Sequence, residues 1–181
     1  MALLRKGRPV EPLIVSITGA RIGHRVLGVV GGDTRLFLDV AARVGITGQA
    51  VALAADRDAV ARVEHAAVEQ GVLIEAVPIA LPLPLADTSF DIALVDERAP
   101  RADAYQTAAL SRDVLRVLRP GGRIVLAVQV PSSPFAGLFG ISPPTPDVSP
   151  MLSTLTAAGF TAARLLAARA GIGFIEAARP A

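Results

Sequence analysis

Cysteine is absent from the 181 residues, and the two histidines, His24 and His65, stand far apart in sequence. Disulfide frameworks, thiol nucleophiles and zinc fingers are thereby excluded, and redox chemistry says nothing about compartment. Tryptophan is also absent, with one tyrosine and six phenylalanines, so there is no aromatic platform on which bases could stack. No stretch approaches the roughly 20 apolar residues of a membrane span, and the opening MALLRKGRPVEP lacks an apolar run of signal-peptide length after its basic residues. A soluble, cytoplasmic protein is expected. Charge of one sign is scarce as well. The 18 basic residues, 17 of them arginine, are interleaved with 16 acids, which leaves no basic stripe and makes nucleic acid an unexpected partner.

A chain this long buries roughly 70% of its unfolded surface and suits one domain with a two-layer or three-layer core. Short apolar runs alternate with longer segments of helical spacing, the pattern of an α/β domain with a mostly parallel sheet. Residues 11–19 (EPLIVSITG) read as a short helix or strand packing on that sheet. Strands are expected at 25–30, 50–55, 72–77, 90–96 and 123–130, with helices between them, notably 58–70 and 103–118. A helix at 149–158 then leads into strands 161–169 and 172–179, whose tight connection joins antiparallel neighbours. Residues 1–24 read as an extension with a packing element, and 25–181 as one domain. Within it, residues 131–150 hold six of the 14 prolines and form a long loop.

Three segments carry a family likeness: VLGVVGGDT (26–34), LPLADTSFDIALVD (83–96) and VLRVLRPGGRIVLA (114–127). With LTAAGFTAARLL (155–166) completing the order, the chain resembles a class I S-adenosylmethionine-dependent methyltransferase of the small-molecule, type 11 kind. The resemblance implies an α/β, Rossmann-like doubly wound fold: a mostly parallel seven-stranded sheet with an antiparallel C-terminal hairpin. It also implies where the cofactor's contacts belong, and there the chain departs from the pattern. The acid near the end of the first strand falls at Gly28, the acid ending the second strand at Ala54, and the acid after the third at Ala80. Of the glycine turn only the centre, Gly32, keeps its family position.

The cofactor candidates that remain are Gly31, Gly32, Asp33 and Asp56, although a helix cap is the favoured reading of Asp33 and a helix cap or surface residue that of Asp56. Charged hydrogen bonds contribute about 1.5–3 kcal/mol each, so losing three implies an affinity lower by roughly a thousandfold or more. The expectation is therefore a methyltransferase-like domain with lost or weakened S-adenosylmethionine binding. No cofactor and no metal are expected, and the domain would act as a binding, regulatory or assembly component. The alternative is an active small-molecule methyltransferase with substituted contacts. No catalytic residue is assigned: Asp96 and Glu97, ending the fourth strand, are candidates for a general base or a cation ligand, but an acid pair at a loop mouth is more often solvated or paired with arginine, here Arg98 or Arg101. Phe135, Leu138, Phe139 and Ile141 form an apolar cluster in the proline-rich loop, expected either to fold back as a lid or to meet another protein chain or a second copy of this one. The missing G-x-G-x-x-G turn and the missing acid on strand two argue against a third reading, a nicotinamide dehydrogenase.

Overall fold

In the computed structural model the described residues are 12–31, 33–97, 108–130, 147–169 and 171–181. Seven strands form one sheet: β1 (Arg25–Val29), β2 (Gln49–Ala54), β3 (Glu75–Pro78), β4 (Phe90–Asp96), β5 (Leu118–Gln129), β6 (Thr161–Arg169) and β7 (Ile172–Ala178). Their order is β3-β2-β1-β4-β5-β7-β6. The β1–β2, β1–β4, β2–β3 and β4–β5 pairs are parallel, whereas β7 runs antiparallel to both β5 and β6. This is the doubly wound α/β sheet with its antiparallel C-terminal hairpin, as the family likeness implied.

The alternation of side chains along a strand divides the core into two. Val26, Ile92, Leu94 and Val125 face α1 (Pro12–Ile17), α2 (Arg35–Val44) and α3 (Arg57–Gln70). Leu27, Val29, Val95 and Leu126 face α4 (Ala108–Val117) and α5 (Ser149–Ala158). Because the central parallel strands are covered on both sides, they read as continuous apolar runs with little alternation. α2 buries Leu36, Phe37, Val40, Ala41 and Val44, a stripe at the 3.6-residue period.

Two boundaries differ from the sequence expectation by three residues or more, for identifiable reasons. Strand β3 starts at Glu75, three residues after the expected Val72. Gly71 closes α3 in the left-handed region and the Val72 amide returns to the Ala67 carbonyl at 2.9 Å, so the residues after Gly71 still belong to the helix exit. Strand β5 starts five residues before Arg123, because Leu118 already pairs with Phe90. Arg119-Pro-Gly-Gly is thus a bulge inside the strand, with Ile92 picking up the register at Arg123. Gly122 permits it, since a Cβ there would lie 2.8 Å from the Arg119 carbonyl oxygen.

Two arginines tie the helices of the α4 side to the sheet. Arg116 donates to Asp113 (2.6 Å), to the carbonyls of Leu83 (3.0 Å) and Leu85 (2.9 Å) and to Asp87, which clamps the loop after β3 onto α4. Arg179 donates to the carbonyls of Leu115 (3.1 Å), Arg116 (2.8 Å) and Leu118, satisfying groups that the end of α4 leaves without helical partners.

Candidate active site

The strand order reverses between β1 and β4. The chain leaves β1 through α2 on one face of the sheet, and α4 covers the other face after β4. Crossovers that diverge in this way open a crevice beyond the carboxyl ends of the two strands, the usual ligand position in open α/β sheets.

On the β1 side of the crevice lie Val30 and Gly31, with the Val30 amide bonded to the Leu53 carbonyl at 2.9 Å. Gly32 lies outside the described residues. Asp33 is engaged at the mouth of α2: it accepts the Arg35 amide at 3.1 Å and the Arg35 guanidinium through two 3.0 Å bonds. These bonds and the carboxylate's charge hold the Arg35 guanidinium above its ordinary pKa. Asp56 caps α3, accepting the Ala59 amide at 2.7 Å.

Gly28 is not a hollow. A Cβ at this position would lie 2.2, 2.4 and 2.8 Å from three ring carbons of Phe37, which is buried on α2. The aromatic ring takes the space into which an acid at position 28 would extend. Ala54 is fully buried at the end of β2, where its carbonyl accepts the Ile79 amide at 2.8 Å, and Ala80 is exposed.

On the β4 side the crevice carries charge. Asp96 is 5% exposed, one of three buried polar or charged residues among those described. Gly28 pairs with Leu94 across the β1–β4 ladder, so Asp96 stands on the same face as Gly28, on the neighbouring strand and about 6–7 Å nearer the carboxyl edge. This juxtaposition depends on register, and the sequence segments carry no sign of it. Glu97 follows, half-buried, its amide bonded to the Ala127 carbonyl at 2.8 Å.

Beside Glu97, on the opposite face, is a cavity of about 80 Å³ between β4, α4 and α5. Val95, Leu110, Val114 and Leu155 make its apolar wall, and Glu97 and Ser111 are polar members of the lining. Sequence reasoning missed this cavity because residues of α5, more than 50 positions away, complete it. The four residues of the expected apolar docking cluster, Phe135, Leu138, Phe139 and Ile141, lie outside the described residues. Among the described residues no group of three His, Asp or Glu side chains is placed to hold a metal ion, and no helix is long and apolar enough to cross a membrane.

Residues 28–126, more than half of the chain, match the methyltransferase domain family. The ubiquinone/menaquinone biosynthesis C-methyltransferase UbiE of Pseudomonas putida is 36% identical over 116 residues, covering 62% of this chain and 44% of that protein. UbiE of Azotobacter vinelandii is 32% identical over 130 residues, covering 68% and 49%. The chain thus spans less than half the length of these curated relatives. Among solved structures, a SAM-dependent methyltransferase from Aquifex aeolicus superposes with a TM-score of 0.73 at 16% identity, over 92% of this chain and 88% of that one.

These relatives overturn two expectations. A cofactor-free domain serving only as a binding, regulatory or assembly component does not agree with C-methyltransferases at this level of identity, and S-adenosylmethionine replaces "none" as the expected cofactor. The expectation took the loss of carboxylates at Gly28, Ala54 and Ala80 as the loss of cofactor binding, a step that the likeness to these C-methyltransferases does not support. The carboxylates of Asp96 and Glu97 at the end of β4 give the donor set a charge that suits a ligand bearing an ammonium and a sulfonium, and Gly31 adds no side chain at the end of β1. With the doubly wound sheet and the match over residues 28–126 together, the chain belongs to the class I S-adenosylmethionine-dependent methyltransferase family.

Proposed function

We propose that this protein is an S-adenosylmethionine-dependent methyltransferase acting on a small, partly apolar acceptor. The observation that carries the proposal is Asp96, a buried carboxylate at the switch point on the face where Gly28 has none. When bound, S-adenosylmethionine supplies an electrophilic methyl group on a positively charged sulfur. Asp96 receives the ligand's ammonium by charge and hydrogen bonding, in a setting where low exposure strengthens both. The Val30–Gly31 backbone lets the ligand approach the end of β1 closely. Glu97, at the mouth of the apolar cavity, orients the acceptor and takes its proton as a general base, while the cavity wall of Val95, Leu110 and Leu155 receives the acceptor's apolar part.

The substituted β1 position removes a contact to the ligand without opening a void, because Phe37 fills the space beside Gly28. Isothermal titration with S-adenosylmethionine and with its demethylated product tests the reading. Binding at about 100 μM or tighter is expected, and the absence of heat at millimolar ligand refutes it.

A further inference from the structure

The amino edge of the sheet, opposite the crevice, carries a second concavity. It is an open groove of about 670 Å³ between the end of α1 and the β5-β7-β6 face, and Arg21, Arg119, Arg123 and Arg164 meet Asp91 and Glu176 in its walls. Four guanidinium groups against two carboxylates leave the lining with two positive charges in excess. Both acids are already shared. Asp91 accepts the Arg25 amide at 2.6 Å and pairs with Arg119 at 2.7 Å; Glu176 pairs with Arg164 at 2.6 Å and with Arg123 at 3.6 Å. Arg21 makes no ion pair and no side-chain hydrogen bond among the described residues. His24, in the same wall, has its Nδ1 buried without a hydrogen-bond partner.

The floor of the groove depends on one fitted gap. The Arg123 guanidinium donates to the Thr18 carbonyl and passes over Gly19, where a Cβ would lie 1.4 Å from Nη2. Gly19 has φ +66°, a left-handed conformation that favours glycine. The turn after α1 therefore has no side chain at the point where the cation crosses it. Cations from three separate stretches of chain, residues 21, 119–123 and 164, converge here. The groove lies in the volume range of small-molecule sites, and planar guanidinium forks match phosphate oxygens two at a time.

We propose that this groove binds a small phosphorylated molecule, with the phosphate seated among Arg21, Arg119 and Arg123. The site is on the opposite edge of the sheet from the methyl-transfer crevice, so its occupant is an effector and not the acceptor, and the inference does not rest on the proposed chemistry. Inorganic pyrophosphate is the probe, titrated calorimetrically in phosphate-free buffer at constant ionic strength. The expected result is a dissociation constant of about 1 mM or tighter. Arg21→Gln and Arg119→Gln should each weaken it by about tenfold or more, with an unchanged urea midpoint and m-value as the control for folding. No heat up to about 10 mM pyrophosphate, or equal affinity in both variants, overturns the proposal. So does flotation with phosphatidylglycerol vesicles in a protein that ignores pyrophosphate, which would assign the cations to a lipid headgroup.

Discussion

Gly28 and Phe37 act as one packing unit, and a double-mutant cycle measures it. Gly28→Ala places a methyl group 2.2–2.8 Å from three ring carbons of a buried phenylalanine, well inside contact distance. Overpacking of this kind costs roughly 1–3 kcal/mol. Phe37→Leu exchanges the flat ring for a smaller branched side chain, at about 1–1.5 kcal/mol as a hydrophobic swap. If the ring occupies the space next to position 28, the two changes compensate. In the Phe37→Leu background, Gly28→Ala should be nearly neutral, giving a coupling of about 1–2 kcal/mol. Urea denaturation of the four proteins, with a common m-value to confirm that only stability changed, supplies the numbers. If the penalties add to within about 0.5 kcal/mol, the two sites are independent and the account of why an acid is missing from β1 is wrong.

Three further outcomes are expected. Asp96→Asn should raise the dissociation constant for S-adenosylmethionine by about ten- to a hundredfold, read by calorimetry; an unchanged constant removes Asp96 from the site. Asp56→Ala should lower stability by about 1 kcal/mol through loss of the α3 cap while leaving S-adenosylmethionine affinity intact, so a fall in affinity with stability unchanged contradicts the capping role. For Asp113, burial pushes the carboxyl up, but hydrogen bonds from Arg116 and the Leu83 amide, with the charge of Arg116, hold it below its ordinary value. Its contribution to stability is therefore complete above the unfolded carboxylate value of about 4 and is lost as pH falls through the lower folded value. Asp113→Asn should be less stable than wild type at pH 7 and should lose less stability between about pH 4 and 2, as followed by urea midpoints; parallel acid profiles would rule this out.

The sheet was legible because its information is local. Runs such as Val26–Val30 and Ile92–Val95 are apolar without interruption, Gly71 ends a helix wherever it follows one, and the SFD and RPGG segments come in the order the fold requires. Where strands begin was less legible. Leu118 pairs with Phe90 across a bulge, a decision made by the neighbouring strand and not by the residues themselves. The site was the hardest part to read. The family likeness assigns the missing acids to Gly28, Ala54 and Ala80, whereas the placement of Asp96 beside β1 follows from the β1–β4 register. The filling of position 28 follows from Phe37, nine residues on and one helix away. Both are tertiary facts, invisible to a scan along the chain. The arginines of the amino-edge groove were equally scattered and passed as ordinary surface charge.

The position of β7 bears on how the protein is made. It is synthesised after every other strand of the sheet, yet it sits between β5 and β6. A nascent chain that has reached Arg169 already holds β5 with one unsatisfied border and β6 with nothing to pair with, and it stays so until Ile172–Ala178 arrives. Unpaired borders recruit strands from other molecules. Ribosomal products that stop short of β7 should therefore collect as insoluble material, and carboxyl-terminal deletions should harm yield well before they touch the crevice where the chemistry takes place.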